Sequence, residues 1–264
     1  EPTYEMYINH LIQIFDEVHR VLKDNGTCWV NLGDSYAGSN QGAGVNAPSG
    51  KQATNRGTNY MNSKTHKSLL KNCGIKAKSL IGIPDRFKIA MIDNGWICRN
   101  DIIWHKPNAM PESVKDRFTD DYERLFFFTK NRKYYFEQQL EYQSKPQKPV
   151  NKNQQNCNNG YTTDRFSAGY RDYYSQGGRN KRSVWSINTK PFKEAHFAIF
   201  PEELIETPIK AGCPENGIVM DIFMGSGTTA VVAQKLNRNY IGIELNSEYI
   251  KIAENRINNI KIAN

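Results

Sequence analysis

Zinc ribbons and disulfide frameworks are the first things this sequence excludes. Its 264 residues include five cysteines (Cys28, Cys73, Cys98, Cys157 and Cys213). They are odd in number, widely separated and never spaced C-x-x-C. Such usage fits a reducing compartment and predicts no metal site. Long apolar runs are also lacking: no stretch approaches the roughly 20 residues a membrane span needs. The amino end, "EPTYEMYINH", has neither a basic start nor a hydrophobic signal core, so a cytoplasmic protein is expected. The glycine-rich run near the carboxyl end has no Gly-Lys-Ser/Thr after it, which excludes a P-loop. Acid is in deficit, with 27 Asp and Glu against 35 Lys and Arg, a formal net charge of +8. That balance draws the chain toward polyanions such as nucleic acid without identifying a partner. The sequence does have apolar content for a core, 38% over a length that suits one large domain.

Along the chain, Tyr4, Ile8, Leu11, Ile12, Phe15, Val18 and Leu22 mark a helical face over residues 3–23, and Asn25-Gly26 marks its stop. "TCWVNL" reads as a buried strand. From Ala37 to about Lys78 the chain is rich in Gly, Asn, Ser, Thr and Lys without apolar period, which predicts a long mobile loop. "SLIGIPDRFKIAMIDNGW" predicts a helix with Pro84 in its first turn and Asn94-Gly95 at its end. "WICRNDIIWHK" and "ERLFFFTK" follow as strands. A second irregular stretch, 142–182, interleaves Tyr161, Phe166, Tyr170, Tyr173 and Tyr174 with Arg165, Arg171, Arg179 and Arg182. Arginine and tyrosine together suit phosphate contact and base stacking, although a solvated linker has the same composition. The last third alternates helix and strand, which predicts parallel strands with crossover helices in an α/β fold.

Within that last third, "IVMDIFMGSGTTA" runs a strand into a glycine cradle. Gly225, Gly227 and Ala230 match G-x-G-x-x-[GA], and Glu244 ends the following strand, where an acid can bind ribose hydroxyls. Asp221 precedes the glycines. A carboxylate there would repel a pyrophosphate but favours a cationic ligand. Only one helix remains after Glu244, so the rest of the sheet must come from earlier sequence. The order is permuted.

Taken in order, "HFAIFPEELIETPIKAGC", "VMDIFMGSGTTA" and "YIGIELN" resemble the cofactor half of the amino-methylating DNA methyltransferases of the beta arrangement, the N4-cytosine and N6-adenine enzymes. The likeness extends upstream through "EPTYEMYINHLIQIFDEVHRVLKDNGTCWVNLGDSY", "IPDRFKIAMIDNGWICRNDIIWHKPNAMPESVKDRF" and "VWSINTKPFKEAHFAIFP". The resemblance implies a Rossmann-like class I S-adenosylmethionine-dependent methyltransferase sheet, circularly permuted, with irregular insertions. In that reading residues 1–141 form the catalytic half with its loop 37–78, 142–182 the target-recognition insertion, and 183–264 the cofactor-binding half of the same domain. It assigns Asp221, Phe223, Gly225, Gly227 and Thr228 to the cofactor loop, Glu244 to the ribose, and His196, Phe197 and Ala198 to the methionine end. "WHKPNAMPESVKDRF" would line the target-base side, with Lys106, Arg117, Arg165, Arg171 and Arg179 on DNA. One departure is visible: Arg117-Phe118-Thr119 and Tyr122-Glu123 stand where the family often has Arg-Pro-Thr and a His-Glu pair.

The implied partner is double-stranded DNA, with room for a cognate restriction endonuclease, in a prokaryotic or phage-like setting. The implied reaction methylates an exocyclic amino group, at cytosine N4 or alternatively adenine N6. The family performs it with Ser, Asp or Asn before Pro-Pro and an aromatic residue, and this chain has no Pro-Pro anywhere. That motif is expected upstream of Glu1, on a strand preceding the first helix, which would leave the chain inactive as a fragment. Asn31, Asp34 and Tyr36 in "NLGDSY" are the fallback. Two other readings stay open, a DNA-binding module with a vestigial cofactor site and a nicotinamide-dependent oxidoreductase.

Overall fold

The computed structural model describes residues 3–37, 74–141, 178–190 and 199–260. Helix α1, Tyr4–Val21, starts where the Thr3 hydroxyl accepts the Met6 N–H at 3.2 Å, and it buries Ile8, Leu11, Phe15 and Val18. Strand β1, Thr27–Leu32, follows. Helix α2, Ile83–Asp93, carries Pro84 in its first turn and ends at Asn94 with Gly95 in the left-handed region. Strands β2, Ile97–His105, and β3, Tyr122–Thr129, come next. Short pieces β4 (Leu140–Glu141), β5 (Arg179–Asn180) and β6 (Val184–Ser186) lead to α3, Glu202–Gly212. The chain then runs through β7 (Ile218–Asp221), α4 (Thr228–Lys235), β8 (Asn239–Gly242) and α5 (Ser247–Asn258).

The first half builds a sheet ordered β1-β3-β2-β6, with β3 antiparallel to both neighbours and β6 parallel to β2. The apolar run "LFFFT" is central, which is why it shows no alternation. Phe126 and Phe128 enter a core with Phe15 of α1, Phe87 and Met91 of α2, and Trp96. Phe127 points the other way and stacks on Trp29 at 4.2 Å. The second half is the expected β-α-β unit, with β7 and β8 parallel and in register from Ile218↔Asn239 to Asp221↔Gly242.

Two features relate the halves. Met220 and Ile222 of the β7 segment pack on the same core as Val30 and Leu32 of β1. The Thr27 hydroxyl, at the start of β1, donates to the Gly212 carbonyl at the end of α3, from which the chain turns into β7. Both strands therefore begin at one end of the molecule, and their carboxyl ends share the opposite edge. Among the described residues β1 pairs only with β3, and β7 only with β8.

Both irregular stretches leave the fold through short antiparallel necks. Tyr36 bridges Leu80, so the ends of the expected 37–78 loop are tied, while its interior, 38–73, lies outside the described residues. The second neck is β4–β5, with Leu140 opposite Asn180. Its insertion, 142–177, also lies outside them, Arg165 and Arg171 included. No described helix is long and apolar enough to cross a membrane, and no described His/Cys/Asp/Glu cluster could hold a metal.

Candidate functional site

The cradle begins where β7 ends. Asp221 accepts the Phe223 N–H at 2.9 Å with one carboxylate oxygen and the Thr229 hydroxyl at 2.5 Å with the other. The acid thus shapes the turn and fixes the first turn of α4, a role its place in sequence did not reveal. Gly225 adopts φ +52°, and its N–H donates to the Glu244 carboxylate at 2.8 Å. The second Glu244 oxygen accepts the Asn246 N–H, also at 2.8 Å. Two backbone donors thus hold the acid at the rim of the cradle.

Gly227 caps α4 at φ +82°, and a Cβ there would lie 2.8 Å from the Ala253 Cβ. This glycine is required by backbone hand and by the close approach of α5. From that helix the Arg256 guanidinium reaches back to the Ser226 carbonyl (2.7 Å), the Ser226 hydroxyl (2.9 Å) and the Thr228 hydroxyl (3.0 Å). Thr228, expected to meet the cofactor, is instead buried under Arg256. Thr229 and Arg256 were missed because their partners lie on other elements. Leu245 was missed too: it is 100% exposed beside Glu244, and Phe223 of the cradle is 58% exposed. Two apolar side chains held in water next to an acid fit a ligand with a flat apolar ring and a diol. S-adenosylmethionine has that chemistry, with a cationic end and no phosphate to meet Asp221. His196, Phe197 and Ala198 lie outside the described residues.

The described residues expected on the target-base side are gathered at the carboxyl ends of β1, β2 and β6 and the amino end of antiparallel β3. Lys106 pairs with Glu123 and lies 4.6 Å from the Trp104 ring centroid. His105 Nδ1 is 3.0 Å from the Ser186 hydroxyl, and Nε2 is 3.6 Å from Asp121. The Asn31 amide donates to the Arg124 carbonyl at 3.0 Å. Asp34 accepts the N–H groups of Gly82 and Ile83, each at 3.0 Å, and so caps α2 from across the loop neck. The Tyr36 hydroxyl donates to Asp120 at 3.4 Å, and the Arg117 guanidinium lies 4.1 Å over its ring. All three fallback residues therefore have structural partners.

The three described cations expected on DNA are paired with carboxylates. Lys106 has Glu123; Arg117 has Glu112 (2.5 Å) and Asp120 (3.2 Å); Arg179 has Glu141 (2.6 Å). Arg182 contacts the same Glu141 oxygen at 2.6 Å. Burial raises the Glu141 carboxyl, but hydrogen bonds from Arg179 and Arg182 outweigh it and leave the pKa below the ordinary value. Sequence alone exposes cations and hides their partners.

Comparisons with known proteins give the family and the fold. The N6_N4_Mtase family, DNA methylase, matches residues 1–255. The type II methyltransferase M.Cfr9I of Citrobacter freundii is 42% identical over 257 residues, covering 97% of this chain and 73% of that protein. The type II methyltransferase M.SmaI of Serratia marcescens is 37% identical, covering 97% and 76%. Among solved structures, the cytosine-N4-specific PvuII DNA methyltransferase superposes with a TM-score of 0.61 at 20% identity, over 98% of this chain and 74% of that one. A candidate DNA modification methylase from Thermus thermophilus, solved with S-adenosyl-L-methionine, gives 0.55 at 19% identity, over 96% and 77%. The fold is that of the class I methyltransferases. The chain belongs to the N6/N4 family of DNA methylases.

Proposed function

We propose that the protein is an S-adenosylmethionine-dependent DNA methyltransferase of a restriction-modification system, and that its acceptor is the exocyclic N4 of cytosine, with adenine N6 as the alternative. The observation that carries the reading is the rim acid Glu244, held by the Gly225 N–H at 2.8 Å between exposed Phe223 and Leu245. Glu244 would take the ribose hydroxyls, Phe223 and Leu245 would cover the adenine, and Asp221 would favour the cationic end. When bound, the cofactor supplies an electrophilic methyl group.

The chain's own task is to present the amino nitrogen. Its lone pair is delocalised into the base ring, so it reacts only when hydrogen-bond acceptors hold the amino protons and the nitrogen is aligned with the methyl group. A duplex allows neither, and the base must be turned out. Lys106 and Glu123 at the sheet edge are the walls proposed for it, with Trp104 buried in the core against Lys106. Asn31, Asp34 and Tyr36 are occupied structurally, which supports an acceptor motif on a further strand. The edges of β1 and β7, unpaired among the described residues, suit such a strand between them. Arg165, Arg171 and the rest of 142–182 are proposed for target recognition, and a paired nuclease as partner. The preference for cytosine rests on "EPT" and "NLGDSY", which resemble the serine-type members of the family.

The test, on the protein with its natural flanking residues, is methyl transfer from tritiated S-adenosylmethionine to unmethylated plasmid DNA, followed by mass spectrometry of the released nucleosides. N4-methylcytosine is expected; N6-methyladenine would move the acceptor. DNA binding indifferent to S-adenosylmethionine, with no transfer, would favour a binding module, and binding of reduced nicotinamide an oxidoreductase.

A further inference from the structure

The loop between β2 and β3 carries one of the most exposed aromatic side chains among the described residues. Phe118 is 96% exposed, and Met110 on the same loop is 85% exposed. The loop is braced. Its base is closed by the Lys106 N–H donating to the Asp121 carbonyl at 2.7 Å. Arg117, next to Phe118, contacts Glu112 and Asp120, lies over the Tyr36 ring, and donates to the Phe118 carbonyl itself at 2.9 Å. Lys78 holds Asp116 at 2.5 Å from the neck of the other loop. A large apolar ring is thus fixed in water by a backbone that has no folding use for it.

We propose that Phe118 is the wedge that enters the base stack of double-stranded DNA and fills the place left by the turned-out target base. The proposal rests on the DNA-methyltransferase reading above. Turning out a base leaves a gap one ring thick between two apolar faces, and apolar side chains stabilise DNA opened in this way. Phe118 has the shape and chemistry for the gap. It also has the position: the loop springs from the sheet edge where the base must arrive, and Lys115, three residues away, is an exposed cation suited to the flanking phosphates. Arg117 is then a positioning residue. Its bonds to Glu112, Asp120 and the Phe118 carbonyl set the direction of the wedge, which explains why its charge is spent inside the loop. The residues flanking the ring in sequence are Arg117, Thr119, Asp120 and Lys115, while Met110 and Val114 are the loop's other large exposed apolar side chains.

The experiment uses the protein with its natural flanking residues, S-adenosylmethionine and plasmid DNA. Unpaired cytosines and adenines are modified with chloroacetaldehyde and located by sequencing, and total DNA affinity is measured by filter binding. The parent protein is expected to expose discrete bases. Phe118→Ala should lower that exposure by on the order of tenfold, as loss of one ring stack implies, while DNA affinity falls much less; Phe118→Trp should retain it. The exposed position makes misfolding a minor concern, and cofactor affinity by calorimetry checks it. Undiminished base exposure in Phe118→Ala would overturn the wedge alone. Parallel loss of binding and exposure would also overturn it, leaving Phe118 a general contact. DNA bound by the parent protein without any exposed base would overturn the reading on which the wedge rests.

Discussion

The Glu244 carboxylate accepts the Gly225 N–H at 2.8 Å, joining the glycine cradle to the segment that ends the next strand. One oxygen of this acid orders the loop, the other accepts the Asn246 N–H at 2.8 Å, and each can accept a further bond. Glu244→Ala should therefore weaken S-adenosylmethionine binding by roughly ten- to a hundredfold, the loss of a charge-assisted pair of bonds. Gly225→Val should weaken it as well, because φ +52° is costly for a β-branched residue. Calorimetry on folded samples measures both, and affinities equal to the parent would remove the cradle from the site.

Gly227 tests the packing beneath the cradle. Gly227→Ala brings a methyl group to 2.8 Å from the Ala253 Cβ and places alanine at φ +82°. A loss of about 2–4 kcal/mol is expected in urea unfolding. Adding Ala253→Gly should recover only part of the loss, because the Ala253 Cα still lies 3.0 Å from the new methyl group, about 1 kcal/mol of backbone strain remains and a glycine inside α5 costs about 1 kcal/mol of its own. Full recovery would mean that the left-handed backbone is relieved by other means.

Asp34 separates a structural acid from a catalytic one. Its carboxylate caps α2 through Gly82 and Ile83, so Asp34→Ala should cost about 1–2 kcal/mol and a few degrees of Tm. Asp34→Asn, which still caps, should restore most of the stability and, in the protein with its natural flanking residues, leave methyl transfer per folded molecule near the parent's. A collapse of transfer in the stable asparagine variant would return Asp34 to the catalytic candidates.

The second neck makes a prediction about DNA. Glu141 binds Arg179 and Arg182 through one oxygen, each at 2.6 Å. Glu141→Gln should loosen the base of the insertion, reducing sequence preference while cofactor affinity stays unchanged. Deleting residues 150–180 should abolish preference altogether. DNA binding of the parent should fall with salt at a log-log slope of about 0.9 per phosphate neutralised. Preference that survives the deletion would put recognition on another segment.

Cys28 gives a pH prediction. Burial pushes its thiol from an ordinary value of 9.0 up to about 12. The folded state keeps its proton where the unfolded chain would release it, so the thiol's contribution to stability is complete below pH 9.0 and is lost as the pH rises toward about 12. Iodoacetamide at about pH 8 should leave Cys28 unmodified in the native protein and label it in urea, as read by mass spectrometry. Ready native labelling would contradict the burial.

Much was legible in the sequence because the signals were local. The spacing of Ile8, Leu11, Phe15 and Val18, the stop at Asn94-Gly95, the G-x-G turn and the acid ending the next strand depend on neighbours a few residues apart. Their order along the chain was enough to imply the permuted sheet. Contacts between distant residues were decided by tertiary structure alone. Asp34 caps a helix 48 residues away, and Arg256 clamps Ser226 across 30. Lys106, Arg117 and Arg179 look like cations awaiting phosphate until the fold brings Glu123, Glu112 and Glu141 beside them. Phe127 and Phe118 are the same residue type in one sequence region, yet one is buried against Trp29 and the other stands in water. Residue type and periodicity act along the chain, whereas charge pairing, capping at a distance and burial depend on which segments the fold brings together.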